Sequence, residues 1–405
     1  VGGRAGLGPA CEERRALIRL MPGLRAILVP FAATRLALLV AGCLSAYLLP
    51  SGLVLQKGNL VHHRPGPAVL EIWARWDAEW YLLIAERGYG ADDAFVGLPV
   101  AYQRGDDSGF FPLYPALIRV LMSTGIPSLL AGVVVSNLAL LAGLWLLRDL
   151  VRRDHGDEVA DRTVWILLAF PTSFFFSAVY AESVMLASLL GAVWMVRAGR
   201  PYLAGGLGAL CALSRPTGIL VLLPLLVESA RATVNGTPPG ASLGRRAARL
   251  AGALLPPGVA LLGYMLYCRE QFGTLAPFLA RQERWRGATS GPWRAFERYL
   301  ESPQVHGAHN STIDLVVALA LVLSIPWLFR RLRASDAIYA TASILIPLGS
   351  TLWSFSRLAA VIYPIPILVA LWTRGSERRF AATLAAMLPV GGLFMALFAA
   401  WWWVG

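Results

Sequence analysis

Residues 128–147 read SLLAGVVVSNLALLAGLWLL, twenty residues without a formal charge, and Arg148, Arg152 and Arg153 follow at once. About 20 helical residues cross a hydrocarbon core of about 30 Å. The apolar side chains occupy every face of such a helix, where a helix on a soluble protein would confine them to one stripe. Lipid is the solvent this segment fits.

Working outward, blocks of the same kind recur at about 26–49, 163–180, 183–197, 250–268, 313–330, 337–352, 358–372 and 380–404. Residues 110–125 are apolar but punctuated by Pro112 and Pro115, and read as a partial or membrane-lying helix. Residues 201–228 are broken by Ser214-Arg215-Pro216-Thr217-Gly218. A proline removes a backbone donor and disfavours helix at the residue before it, so this block reads as a hairpin of two short helices with Arg215 near its tip. Counting both arms gives about eleven transmembrane helices. The expected fold is an all-α polytopic membrane protein, a single transmembrane domain over 1–405. Two long extracytoplasmic loops are expected at 50–127 and 269–312, the first carrying amphipathic helices. Composition agrees: 57% of the chain is apolar and 15% charged, against about 25% charged in soluble domains.

The net charge is +12, and Lys57 is the only lysine among 36 basic residues. Nucleic-acid binding asks for a basic patch on a polar surface. Here the arginines sit between apolar blocks. Placing the amino terminus, 148–162, 197–201, 229–249, 330–336 and 373–379 on the cytoplasmic side puts 21 basic residues there, as positive-inside topology requires. This implies a multi-pass protein of the cell (plasma) membrane, with no nucleic-acid partner. No cleavable signal peptide is evident, because the first apolar block is too long for a signal core. Cys11, Cys43, Cys211 and Cys268 lack CxxC spacing and read as small apolar side chains. No GxxxxGK or HExxH motif is present. No acid lies deep in a span, which argues against an ion-coupled pump.

The unusual polar residues gather on the opposite, outer side. The run RWDAEWYLLIAERGY (75–89) has helical apolar spacing and reads as an amphipathic helix on the membrane surface. Trp76, Trp80 and Tyr81, with Tyr114 in FFPLYP (110–115), suit the lipid interface. Asp77 reads either as a general base beside an amphiphilic substrate or as the partner of an arginine. Tyr180 and Glu182 lie in FPTSFFFSAVYAES (170–183), Arg215 tips the hairpin, and Arg281, Arg284 and Arg286 lie in the second long loop. Ser356 and Arg357 tip a third turn. Arginine forks bind phosphate oxygens bidentately, and aromatic faces stack on sugars or line lipid grooves. Arg215 and Arg357 read first as interfacial anchors or salt-bridge partners, and more sharply as an anion site. His62-His63 reads as solvated, and Asp92-Asp93 and Asp106-Asp107 read as loop charges or as holders of a divalent cation.

The run at 75–89 resembles the signature of the PIG-V family, the GPI mannosyltransferase II type, and its bacterial relatives. FFPLYP, FPTSFFFSAVYAES and SRPTG (214–218) resemble that family's later motifs, in the same order. The resemblance implies a GT-C glycosyltransferase with a lipid-phosphate sugar donor and an active site on the non-cytoplasmic face. It implies that Asp77 is the essential acid, deprotonating an acceptor hydroxyl in one inverting step. The donor phosphate and sugar would meet Arg357, Arg215, Arg75, Tyr180, Glu182, Ser356 and Arg281. Leu358 follows Arg357 where the family pattern has Arg-Tyr, and a bacterial relative has no GPI anchor to modify. The expected donor is polyprenyl-phosphate mannose, with polyprenyl-phosphate arabinose as rival. The expected acceptor is a glycolipid, a glycan or a secreted protein. No cofactor is required, and a divalent cation stays open. A non-catalytic lipid-linked sugar binder or flippase is the alternative.

Overall fold

The structure, a computed structural model, describes residues 9–50, 66–91, 106–235, 242–304 and 311–404. Their only β element is an isolated bridge between Gln304 and Ser311. All their other regular elements are helices. In chain order the α-helices are α1 Pro9–Leu48, α2 Ala68–Glu71, α3 Ala78–Arg87, α4 Leu113–Met122, α5 Ser128–His155, α6 Asp157–Ala169, α7 Glu182–Arg197, α8 Pro201–Ala212 and α9 Leu222–Asn235. They continue as α10 Leu243–Phe272, α11 Pro277–Arg286, α12 Arg294–Glu301, α13 Thr312–Arg331, α14 Ala334–Leu348, α15 Phe355–Ala360, α16 Pro364–Thr373 and α17 Glu377–Ala399.

Five of these are long and apolar enough to cross a membrane: the Gly23–Leu48 part of α1, then α5, α10, α13 and α17. The chain is a membrane protein. The other blocks counted as spans are shorter helices. The block at 163–180 is helical only to Ala169, and residues 170–181 form an irregular buried segment with a 3-10 turn at Ser173–Phe176. Pro171 supplies no amide hydrogen there. Non-helical backbone in an apolar bundle needs polar partners inside the protein. Arg35 of α1 supplies them, donating to the Ser173 carbonyl at 2.9 Å and the Leu168 carbonyl at 3.2 Å. The block at 358–372 is likewise two pieces, α15 and α16, with the break just before Pro364.

The 201–228 block divides where the sequence suggests. Helix α8 ends at Ala212, Pro216–Val221 forms a 3-10 turn, and α9 carries the chain onward. Helix α8 packs between α7 and α10, and α9 packs on α14. A Cβ at Gly205 would lie 2.1 Å from the Gly252 carbonyl, so glycine lets α8 and α10 approach closely.

The bundle has two polar ends. At one, Arg197 at the end of α7 bonds Asp336 at 2.5 Å and Glu228 at 3.0 Å, while Arg333 bonds Asp154. At the other, Glu182 opens α7 beside Arg215 and Arg357. The turn at Pro216–Val221 therefore sits at the Glu182 end, and Glu228 of α9 at the Arg197 end. The sixteen residues of α7 run from one end to the other.

Helix α3 departs from expectation. Residues Ala78 to Ala85 are all buried, so α3 is a core helix of the protein and does not lie on a lipid surface. Its apolar residues cover more than one face. Trp80 stacks on Phe110 at 5.7 Å, and Tyr81 meets Phe110 and Tyr114 edge-on, each at 5.1 Å. Tyr114 is fully buried and bonds Ser136 at 2.7 Å and the Gly132 carbonyl at 2.9 Å. The assignment of Trp80, Tyr81 and Tyr114 to the lipid interface is corrected accordingly. Cys211 and Cys268 are buried, and Cys43 is half-buried.

Candidate active site

A cavity of about 1050 Å³ opens at the Glu182 end of the bundle. Its wall includes Asp77 and Trp76, the hairpin tip Ser214–Thr217, Trp285 and Arg286, Trp353, Arg357, and Trp402 with Trp403.

Asp77 precedes α3. An aspartate there ordinarily caps the helix with its carboxylate. This one makes no capping bond. Its Oδ2 instead accepts from Arg357 Nη1 at 2.6 Å, and its side chain is 32% exposed. The backbone before it is pinned from three sides. Val179 N donates to the Trp73 carbonyl at 2.9 Å. The Tyr180 hydroxyl donates to the Arg75 carbonyl at 2.7 Å. Arg75 Nε donates to the Ala399 carbonyl at 3.1 Å. Trp76 has φ of 59°, in the left-handed region. The other non-glycine residues there, among those described, are Ser354 (59°) and Trp401 (66°). Trp76 and Ser354 line the cavity, and Trp401 packs on Trp76 with ring centroids 6.1 Å apart. Such strain persists where surrounding contacts over-determine it, and it clusters at functional sites.

Glu182 is the hub. It is 1% exposed, and its Oε1 accepts from Arg357 Nε at 2.6 Å and from Arg215 Nη1. Arg215 is extended because Pro216 follows it. A Cβ at Gly218 would lie 1.9 Å from the Cys211 carbonyl, so the turn that presents Arg215 requires glycine. Arg357 is walled by aromatic rings, with Tyr180 at 4.5 Å, Phe175 at 4.9 Å and Trp403 at 5.9 Å from its guanidinium carbon. Arg286 donates to Ser350 Oγ at 3.4 Å and the Thr351 carbonyl at 3.3 Å. Burial, offset by Asp314 and joined by the nearby charges of Arg215 and Arg357, lowers its pKa to about 10, so it is cationic at neutral pH. The cavity wall thus carries the guanidiniums of Arg215, Arg286 and Arg357 with the carboxylates of Asp77 and Glu283, while Glu182 and Asp314 stand behind it, so three fixed cationic donors are gathered where an anion could meet them.

Several expected site residues sit elsewhere. Arg75 bonds the Glu71 carbonyl at 2.6 Å, stacks on Trp401 at 4.7 Å and does not line the cavity. The Tyr180 hydroxyl is spent on Arg75, leaving its ring as a wall for Arg357. Ser356 bonds through its backbone, with its amide to Asp314 Oδ1 at 2.7 Å and its carbonyl accepting from Thr172 at 3.0 Å. Arg281 is off the cavity. Leu279, Gln282, Trp285 and Arg286 of α11 face it, at the spacing of one helical face. Arg286 therefore takes the place expected of Arg281. Trp402 and Trp403 were expected inside a span. The backbone turns at Trp401 instead and returns them to the cavity, with Trp403 5.5 Å from Trp76.

Among the described residues, no three His, Cys, Asp or Glu side chains gather as a metal site would need. Asp107 is buried, and its Oδ2 accepts from the Gly90 amide at 2.6 Å, which fixes a loop. His62, His63, Asp92 and Asp93 lie outside the described residues.

Residues 50–228 match the family model described as Mannosyltransferase (PIG-V). The likeness read from the motifs is borne out over that stretch. Arg286, Arg357 and Trp403 lie beyond it. No curated protein sequence matches the chain. Among solved structures, ArnT from Cupriavidus metallidurans, bound to undecaprenyl phosphate, is similar with a TM-score of 0.51 and 17% identity. That likeness covers 89% of this chain and 62% of ArnT, so the chain spans under two thirds of that protein. The Archaeoglobus fulgidus oligosaccharyltransferase matches with a TM-score of 0.43 and 12% identity, over 91% of this chain and 56% of its own. The likeness to ArnT is one of fold.

Proposed function

We propose that this chain is a glycosyltransferase that moves a mannosyl residue from a polyprenyl-phosphate-mannose donor to a hydroxyl of a lipid, glycan or protein acceptor. The observation that carries the reading is the gathering of Asp77, Glu182, Arg215, Arg286 and Arg357 at one cavity. The PIG-V match supports the sugar, and the undecaprenyl phosphate bound to ArnT supports the lipid.

In this mechanism Asp77 accepts the proton of the acceptor hydroxyl, whose oxygen attacks the anomeric carbon. The bond from that carbon to the phosphate oxygen breaks, and polyprenyl phosphate leaves. Its charge meets Arg357, Arg215 and Arg286, fixed donors where negative charge develops. Single displacement inverts the anomeric centre. Trp76, Trp285 and Trp403 offer faces for the sugar. Leu279 and Ile346, 60% and 54% exposed at the rim, offer the start of a groove for the hydrocarbon tail. A phosphate monoester is a fair leaving group, so the scheme does not call for a divalent cation. The arginine bias supports a cavity on the extracytoplasmic face of the cell membrane, in one transmembrane domain with long loops at 50–127 and 269–312.

The test is purified protein in proteoliposomes with labelled polyprenyl-phosphate mannose and a membrane extract. Label in a new glycosidic product is expected. Transfer from the labelled arabinose donor alone would change the sugar. Movement of intact lipid-linked sugar across the vesicle without a product would make the protein a flippase.

A further inference from the structure

We propose that Asp77 and the donor's phosphate compete for one guanidinium, that of Arg357, so that donor binding releases Asp77 and precedes deprotonation of the acceptor. This rests on the transferase reading above.

The contacts of Arg357 are unequal. Its Nε is tied to Glu182, which is 1% exposed, stands at the head of α7 and also holds Arg215. Its face is walled by Tyr180 and Phe175. Only its Nη1 partner, Asp77, is open to the cavity, 32% exposed. The Asp77 carboxylate makes no capping bond to its own helix, and Arg357 is the partner that holds it. An anion entering the cavity therefore meets a guanidinium whose reachable edge already carries a carboxylate. Two anions on that edge repel, and Asp77 is the one free to turn away. While Oδ2 accepts from Arg357, that lone pair is not open to an acceptor proton.

The charge balance of transfer points the same way. The donor is a phosphodiester with one negative charge. The acceptor's proton goes to Asp77, the new carbon–oxygen bond forms, and the bond to phosphate breaks with its electron pair on the phosphate. Asp77 ends neutral, and the phosphate monoester carries the extra negative charge. One unit of charge passes from Asp77 to the phosphate that Arg357 already holds.

Asparagine is a neutral near-isostere of protonated Asp77. In nanodiscs, full-length Asp77→Asn is expected to bind polyprenyl phosphate about 10-fold tighter than wild type, within the roughly 5–150-fold range of site–site coupling. The gain is expected to vanish in an Arg357→Gln background, which a merely structural role for Asp77 would not produce. If Asp77→Asn fails to fold, Asp77→Ser removes the same charge and is read the same way. Equal or weaker binding by the folded variant overturns the exchange while leaving the transferase reading standing. Absence of polyprenyl phosphate binding by wild type overturns both.

Discussion

Glu182 holds two guanidiniums on one buried oxygen, and its substitution tests the site as a piece of electrostatics. Removing one member of a buried ion pair leaves the other charge uncompensated and costs about 3–5 kcal/mol. Glu182→Gln takes the carboxylate from Arg215 and leaves Arg357 with Asp77 alone, so a clearly lowered unfolding transition in detergent is expected. An unchanged transition would mean the cluster contributes little. Arg357→Lys keeps the charge but replaces the fork with a point charge, which cannot serve Glu182 and Asp77 from two edges. Transfer is expected to fall by about 100-fold or more, the typical cost of one transition-state donor. At this scale the sequence was partly legible. Asp77, Glu182, Arg215 and Arg357 stood out because each is a charge in an apolar setting, and the fold brings all four together. Arg281 and Arg286 are five residues apart on one short helix, and nothing in their types says which face meets the cavity. Nor does tyrosine at 180 or 114 announce whether its hydroxyl bonds backbone or substrate.

Among elements, the break between α8 and α9 was readable because proline and glycine impose local geometry whatever surrounds them. A Cβ at Gly218 would overlap the Cys211 carbonyl, whereas at Gly206, on α8 itself, it would meet nothing within 4 Å. Gly218→Ala is therefore expected to lose about 1–3 kcal/mol, as overpacking does. Gly206→Ala is expected to lose none, since alanine favours helix. Equal melting of the two variants would show that the turn tolerates a side chain. Helix α3 was misread because its helical spacing fits a lipid surface as well as a protein interior, and only tertiary contact separates the two. Trp402 and Trp403 close an apolar run that looks like span to its end. The left-handed residue Trp401 turns them back, and tryptophan at that position gives no warning of it.

For the whole molecule, hydrophobic blocks and arginine clusters were enough to read an all-helical membrane protein with two distinct polar ends. They were not enough to separate full crossings from the shorter helices, because buried segments such as α6 and α7 are as apolar as lipid-facing ones. The sidedness is testable. A cysteine replacing Thr217, which lines the cavity, is expected to react with an impermeant thiol reagent from outside intact cells. Added polyprenyl phosphate is expected to slow that reaction. Labelling only from the cytoplasmic side would invert the topology. The central claim is that Asp77 takes the acceptor's proton during sugar transfer, and its most direct measurement is the transfer rate of folded Asp77→Asn in proteoliposomes with saturating labelled donor. The account predicts loss of transfer by about 100-fold or more, within the usual contribution of a general base, with polyprenyl phosphate binding retained. Transfer at near wild-type rate by a variant with an intact unfolding transition would contradict it.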